Sequence, residues 1–138
     1  MGGGKAGGVF GSTQGNAGAR TFTSKDPYVG ETASAIEAHF PGRVTAVNQD
    51  IYSADGKKKL VEVDIVLDNT AIQVKSSKAK TLIAQMINTK ENMNKTVIGY
   101  APEPKPSSGL IQDAKRKGFR VFTTQNGLLK YLRKNQSK

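Results

Sequence analysis

The chain has 138 residues and carries 21 Lys+Arg against 11 Asp+Glu, a formal net charge of +10 at pH 7. That length suits one compact domain, and no apolar run approaches the ~18–20 residues of a membrane-crossing helix. Cysteine is absent and His39 is the lone histidine, which removes disulfides, thiol nucleophiles and His- or Cys-clustered zinc sites. Hard-metal chemistry on carboxylates remains, or no chemistry at all.

Residues 1–25 carry eight of the fifteen glycines and almost no large apolar groups. Such a composition cannot offset its ordering entropy, and with no apolar core to the segment it is not a secretory signal. A flexible Gly-rich linker or junction is expected over 1–25, with a folded domain over 26–138. Asp26-Pro27 reads as a helix start, an N-cap followed by proline at the first helical position. Val29, Ala33, Ile36 and Phe40 mark one buried face, and Pro41-Gly42 ends the helix. Val44 to Val47 suggests a short strand. The polar stretch after it turns at Asp55-Gly56.

Leu60–Leu67 (LVEVDIVL) and Thr70–Lys75 (TAIQVK) are β-branched and alternate with period 2 around a turn signal at Asp68-Asn69, so a hairpin is expected. Ser76 to Lys80 reads as a basic loop, and 81–94 as a helix with Leu82, Ile83, Met86, Ile87 and Met93 facing inward. Thr96–Tyr100 reads as a buried strand and 101–106 as a proline-stiffened loop. A helix over 110–117, a strand over 120–123 and a final basic helix over 127–134 complete an α-β-β-β-α-β-α-β-α order, an α/β domain.

Chemistry is concentrated on the hairpin. A loop of Asp68-Asn69 sets Asp64 opposite Gln73 and Glu62 opposite Lys75; a loop of Asn69-Thr70 sets Asp64 opposite Lys75. Either register gathers Asp64, Gln73 and Lys75 on one face and leaves Val63, Ile65, Ile72 and Val74 on a dry one. A carboxylate, an amide oxygen and an ammonium within ~4.5–5.5 Å between Cβ atoms suit Mg²⁺-assisted phosphodiester hydrolysis: oxygen ligands for the metal, and a lysine to orient water and balance charge. An amphipathic hairpin with an incidental ion pair explains the same pattern.

The element order and these residues resemble the PD-(D/E)XK nuclease superfamily. The family places an Asp on the second strand, matched by Asp64, and a (D/E/Q)-x-K motif on the third, matched by Gln73-Val74-Lys75. Many members add a Glu early on the first helix. Glu31 fits that place by its distance from Gly42, while Glu37 competes because it lies nearer the apolar stripe. Gln73 replaces the commoner acid, and Val63 stands where the family's name-giving proline would be. The resemblance covers residues 26–123. It implies a restriction-endonuclease-like core (α-β-β-β-α-β) with additional C-terminal helices, catalytic Glu31, Asp64, Gln73 and Lys75, and a Mg²⁺ or other divalent cation held by Glu31, Asp64 and Gln73. Within the superfamily the layout resembles the C-terminal toxin domains of contact-dependent growth inhibition and other polymorphic bacterial toxins. These are delivered as part of a larger secreted effector, degrade tRNA or DNA in the target-cell cytoplasm, and are neutralised by a cognate immunity protein.

Eight of the ten net charges fall in residues 104–138, where nine basic residues face Asp113 alone. A one-ended basic surface points to a polyanion, and Arg116, Lys117, Arg120 and Arg133 are expected to hold it. tRNA is slightly favoured over DNA, because a small module with few aromatic residues suits shape and phosphate recognition of a folded RNA. Lys57-Lys58-Lys59 is either a second phosphate contact or a solvated loop, Gln85 an indirect contact of the site or a solvated helix residue, and His39 structural. The alternative is a non-catalytic basic nucleic-acid-binding module on the same fold.

Overall fold

The computed structural model describes residues 20–75, 79–102 and 108–135. The basic loop expected at 76–80 and the proline-rich loop at 101–106 fall largely outside them, as do residues 1–19 of the expected linker.

Four helices and five strands follow the order read from the sequence: α1 (Pro27–His39), β1 (Val44–Tyr52), β2 (Lys59–Leu67), β3 (Thr70–Val74), α2 (Ala79–Asn92), β4 (Thr96–Tyr100), α3 (Ser108–Arg116), β5 (Arg120–Phe122) and α4 (Gln125–Lys134). They form a mixed α/β domain around one sheet of order β1-β2-β3-β4-β5. β1, β2 and β3 are antiparallel neighbours; β4 and β5 then join in parallel after the crossover helices α2 and α3. One face of the sheet packs Ile65, Leu67, Ile72 and Ile98 against Val29, Ala33 and Ile36 of α1 and Leu128 and Leu132 of α4. The other packs Val61, Val63, Val66 and Ala71 against Leu82 and Met86 of α2 and Leu110 and Ala114 of α3. Gly99 of β4 lets α2 lie close, since a Cβ there would come within 2.9 Å of the Met86 sulfur.

α1 begins as its sequence dictates. The Asp26 carboxylate accepts the Tyr28 N–H at 2.9 Å, with Pro27 at the first helical position. At its other end the helix meets Arg43, whose guanidinium donates to the Leu132 carbonyl of α4 at 3.0 Å and the Asn69 side chain at 2.9 Å. Lys95 donates to the Leu67 and Asp68 carbonyls at 2.8 and 2.7 Å. The β2–β3 turn is therefore clamped by two cations and closes that end of the sheet.

Two boundaries differ from the sequence reading. β1 runs to Tyr52, because Gln49, Asp50 and Ile51 pair with Val63, Glu62 and Val61 although their sequence is polar. Contacts with the domain also begin before Asp26. Residues 20–24 form a strap along α1: Arg20 pairs with Glu37 at 3.2 Å and donates to the Val44 carbonyl at 2.8 Å, the Phe22 N–H donates to the Ser34 hydroxyl at 2.8 Å, and the Ser24 hydroxyl donates to the Asn48 side chain at 2.8 Å. Gly30 admits the strap, since a Cβ there would stand 3.1 Å from the Phe22 carbonyl oxygen.

Glu37 is almost fully buried, and besides Arg20 it accepts the Gly42 N–H at 3.2 Å. Arg20→Ala would leave that carboxylate without its ionic partner, so chemical denaturation should show a loss of about 1–3 kcal/mol. A variant as stable as the parent would show that the strap contributes nothing.

Candidate functional site

A regular strand keeps odd-numbered side chains on one face. β2 does not. Val61 and Val63 lie on the α2 side, whereas Ile65 and Leu67 lie on the α1 side. β1 changes faces with it, Val47 packing on the α1 side and Ile51 on the α2 side. The reversal falls at Asn48, which the flanking pairs Val47↔Ile65 and Gln49↔Val63 set opposite Asp64. Asn48 has φ of +53°, a left-handed conformation that Asn tolerates better than most residues. The expectation of Val63, Ile65, Ile72 and Val74 on a single dry face is therefore corrected: both faces of the hairpin are covered by helices, and Val63 sits opposite to Ile65.

The hairpin takes the first of the two registers, with Ile65 facing Ile72 and Val66 facing Ala71, so Asp64 meets Gln73. There the backbone ladder is replaced by side chains. The Asp64 N–H donates to Gln73 Oε1 at 3.2 Å, and the Val74 N–H donates to Asp64 Oδ2 at 2.8 Å. Gln73 is fully buried, and its Nε2 donates to the Glu62 carbonyl at 2.9 Å and to Thr89 Oγ1 of α2 at 2.8 Å. Thr89 in turn donates to the Gln85 carbonyl at 2.7 Å. The Gln73 amide is thus engaged at both ends, in bonds that hold the two strands apart around Asp64. Gln85 reaches this network through its backbone, while its own side-chain oxygen is buried without a partner.

Asp64 is partly buried, and burial raises its carboxyl from the ordinary 3.8 to about 6; the charges of Glu62 and Asp26 push the same way, opposed by the Val74 N–H and by Lys75. Lys75 follows β3 directly, its N–H donating to the Tyr100 carbonyl at 3.0 Å. Tyr100 ends β4, and its phenol is pushed up by burial and then by the charge of Glu31 and by Tyr28. The Val74 N–H bond sets Asp64 beside the carboxyl end of β3, and the Lys75–Tyr100 bond ties that end to the end of β4, where open α/β sheets leave a crevice for ligands; from the α1 start, Asp26 acts on the Asp64 carboxyl, and Glu31 and Tyr28 act on the Tyr100 phenol. Sequence reading missed Tyr100. Its signal was the terminal position of a parallel strand following a crossover helix.

Glu31 is exposed, and its charge acts on the Tyr100 phenol; Glu37, held by Arg20 and Gly42, lies at the far end of α1. Asp64 fits a hard divalent cation: one carboxylate oxygen is anchored on the Val74 N–H, and its charge is crowded by burial, Glu62 and Asp26. Among the described residues no three acidic or His side chains are gathered closely enough to form a complete metal cage. Mg²⁺ commonly needs only one or two carboxylates, with water and substrate phosphate completing its shell.

The C-terminal cations lie elsewhere. Arg116 is paired with Asp113 at the end of α3, and Arg133 lies over the Phe40 ring 6.0 Å away, near the Arg43 clamp. Both helices finish at the opposite end of the sheet from Asp64, and Arg120, over Tyr131, lies on edge strand β5. An open hollow of about 460 Å³ lined by Ile111, Lys115, Phe119 and Arg120 also follows that edge and not Asp64. His39 is exposed and hydrogen-bonded to the Ala35 carbonyl at 2.9 Å, a local helix contact.

No family profile, no curated protein and no solved structure matches this chain.

Gln73→Ala removes three buried hydrogen bonds and opens a cavity, and should cost about 2–4 kcal/mol in denaturant unfolding; an exposed-type loss under about 0.5 kcal/mol would contradict the strand-spacing role. Because the folded pKa of Asp64 is raised, its contribution to stability is fully present below about pH 4 and is lost as pH climbs through about 6. Asp64→Asn, measured in chelator, should therefore match the parent near pH 4 and exceed it by about 1–3 kcal/mol at pH 8. An advantage that does not grow with pH would contradict the burial of this carboxylate.

Proposed function

We propose that the protein is a metal-dependent nuclease that hydrolyses phosphodiester bonds, with a restriction-endonuclease-like core and tRNA favoured over DNA as substrate. The observation that supports it is the partly buried Asp64 held by the Val74 N–H at the carboxyl end of β3, with the charge of Lys75 acting on it and Lys75 bonded to the end of β4 at Tyr100. The resemblance of Asp64 and Gln73-Val74-Lys75 to the PD-(D/E)XK pattern adds to it.

In this reading Asp64 and Glu31 hold a divalent cation, which supplies Lewis-acid polarisation of the phosphate and a more acidic water. Lys75 orients the attacking water and balances charge on the phosphorane-like transition state. Gln73, assigned by its resemblance to the ligand set, acts here by spacing β2 from β3 and fixing the Asp64 backbone; its Oε1 already serves the Asp64 N–H. The same resemblance carries the biological reading: an antibacterial toxin module of a larger secreted effector, active in a target cell's cytoplasm and silenced by an immunity protein.

Purified protein incubated with total tRNA or plasmid DNA should cut one of them with Mg²⁺ and neither with chelator. Asp64→Ala and Lys75→Ala should each lower cleavage on the order of 10²-fold or more. Glu31→Gln should fall comparably, whereas Glu37→Gln should lose stability but keep activity per folded molecule. Binding without any cleavage would favour a non-catalytic module on the same fold, and full activity in both Asp64→Ala and Lys75→Ala would overturn the site.

A further inference from the structure

The outer half of the β1–β2 hairpin is an arm beside the candidate site. β2 runs from Lys59 toward the clamped turn, so Lys59 lies five residues beyond Asp64 on the open side, about 17 Å away at ~3.3 Å per residue, and the tip lies beyond it. The arm is braced. Ile51, Val61 and Val63 pack on the α2 side, and Asn88 donates to the Leu60 carbonyl at 2.7 Å. Its tip is locked as well. The Ser53 N–H donates to the Lys58 carbonyl and the Gly56 N–H to the Ser53 carbonyl, both at 2.8 Å. The Ser53 hydroxyl donates to Asp55 at 2.6 Å, and Asp55 accepts the Lys57 N–H at 3.0 Å. The one carboxylate at the tip is therefore turned onto its own loop. Lys57 and Lys58 are exposed and make no ion pair among the described residues, while Lys59 pairs with Asp50 at 3.7 Å. Tyr52 beside them is 50% exposed.

We propose that this arm is a grip for double-helical nucleic acid, with Lys57 and Lys58 on backbone phosphates and Tyr52 against the sugar–base surface, while a second stretch of backbone reaches Asp64. The inference deepens the nuclease reading by naming the duplex form of its substrate and the surface that holds it. It does not draw on Arg116 and Arg133, which stand at the other end of the sheet. Lysine meets phosphate as a point charge without reading sequence, so the arm fixes position, not sequence. Contact points held about 17 Å or more apart by a braced ribbon suit a ligand as rigid as they are. A duplex holds its two backbones at fixed spacing, whereas a single strand would first have to be ordered.

The test uses the full chain carrying Lys75→Ala, so that nothing is cut, and a 14-base-pair RNA stem-loop, a DNA duplex of equal length and a single-stranded oligonucleotide as probes. Binding is followed by fluorescence anisotropy from 50 to 300 mM salt. The parent should prefer a duplex over the single strand, the RNA and DNA arms showing which source is preferred. Adding Lys57→Ala and Lys58→Ala should flatten the log-affinity against log-salt slope by about 1.8 on DNA duplex, the release expected from two phosphate contacts. Tyr52→Ala should weaken duplex binding without changing the slope. Arg116→Ala with Arg133→Ala should leave the slope unchanged. An unchanged slope in the arm variant, equal losses on duplex and single strand, or no binding by the parent would each overturn the grip. Cleavage by the unsubstituted protein answers the separate question: an intact arm effect without cleavage sinks only the nuclease reading, and cleavage without an arm effect sinks only this one.

Discussion

Two side chains stand in for the backbone ladder where β2 and β3 meet: Gln73 takes the Asp64 N–H, and Asp64 takes the Val74 N–H. Each satisfies a donor that would otherwise be buried and orphaned, so the strands can separate without leaving polar groups unpaired. The separation has consequences on both sides. It frees Asp64 from the flat of the sheet, and it lets Gln73 reach through to Thr89, tying the hairpin to α2. On the neighbouring pair, β1 and β2 turn over together at Asn48 and Asp64, which sends the outer hairpin onto the α2 side.

The two ends of the sheet are built for different purposes. At the β2–β3 turn, Arg43 and Lys95 saturate the carbonyls of Leu67, Asp68 and Leu132, and α4 finishes against them. At the carboxyl ends of β3 and β4, burial raises the Asp64 carboxyl, and the charges of Glu62 and Asp26 push the same way. A protein optimised only for stability would pair such a charge or replace it by an apolar side chain.

Element order was legible in the sequence because each element carried a local signature: Asp26-Pro27 for the start of α1, period-2 runs for β2 and β3, Gly118 between α3 and β5. The Asp68-Asn69 turn signal narrowed the hairpin to two registers, and the pairing of Ile65 with Ile72 selects the first. What was hidden depends on tertiary pairing. Asn48 to Tyr52 reads as loop because its strand conformation comes from β2 and not from its own residues. Face reversal at Asp64 leaves no trace in an alternation count, since the odd positions remain apolar on both sides of it. Arg20 and Phe22 sit in a Gly-rich context, and only α1 reveals their partners. Charge counting located a basic C-terminal quarter but not which end of the sheet it would occupy; that is set by the direction of α3 and α4.

The strap lies antiparallel to α1, with Arg20 near the helix's end and Ser24 near its start. Tension entering from the amino-terminal side therefore meets its fastenings one after another: the Arg20–Glu37 pair, then the Phe22–Ser34 bonds, then Ser24 on Asn48. Fastenings loaded one at a time resist with the strength of a single one, not with the sum of all. The last of them braces the residue across from Asp64, so mechanical load would reach the acidic cluster only after the rest of the strap had peeled away.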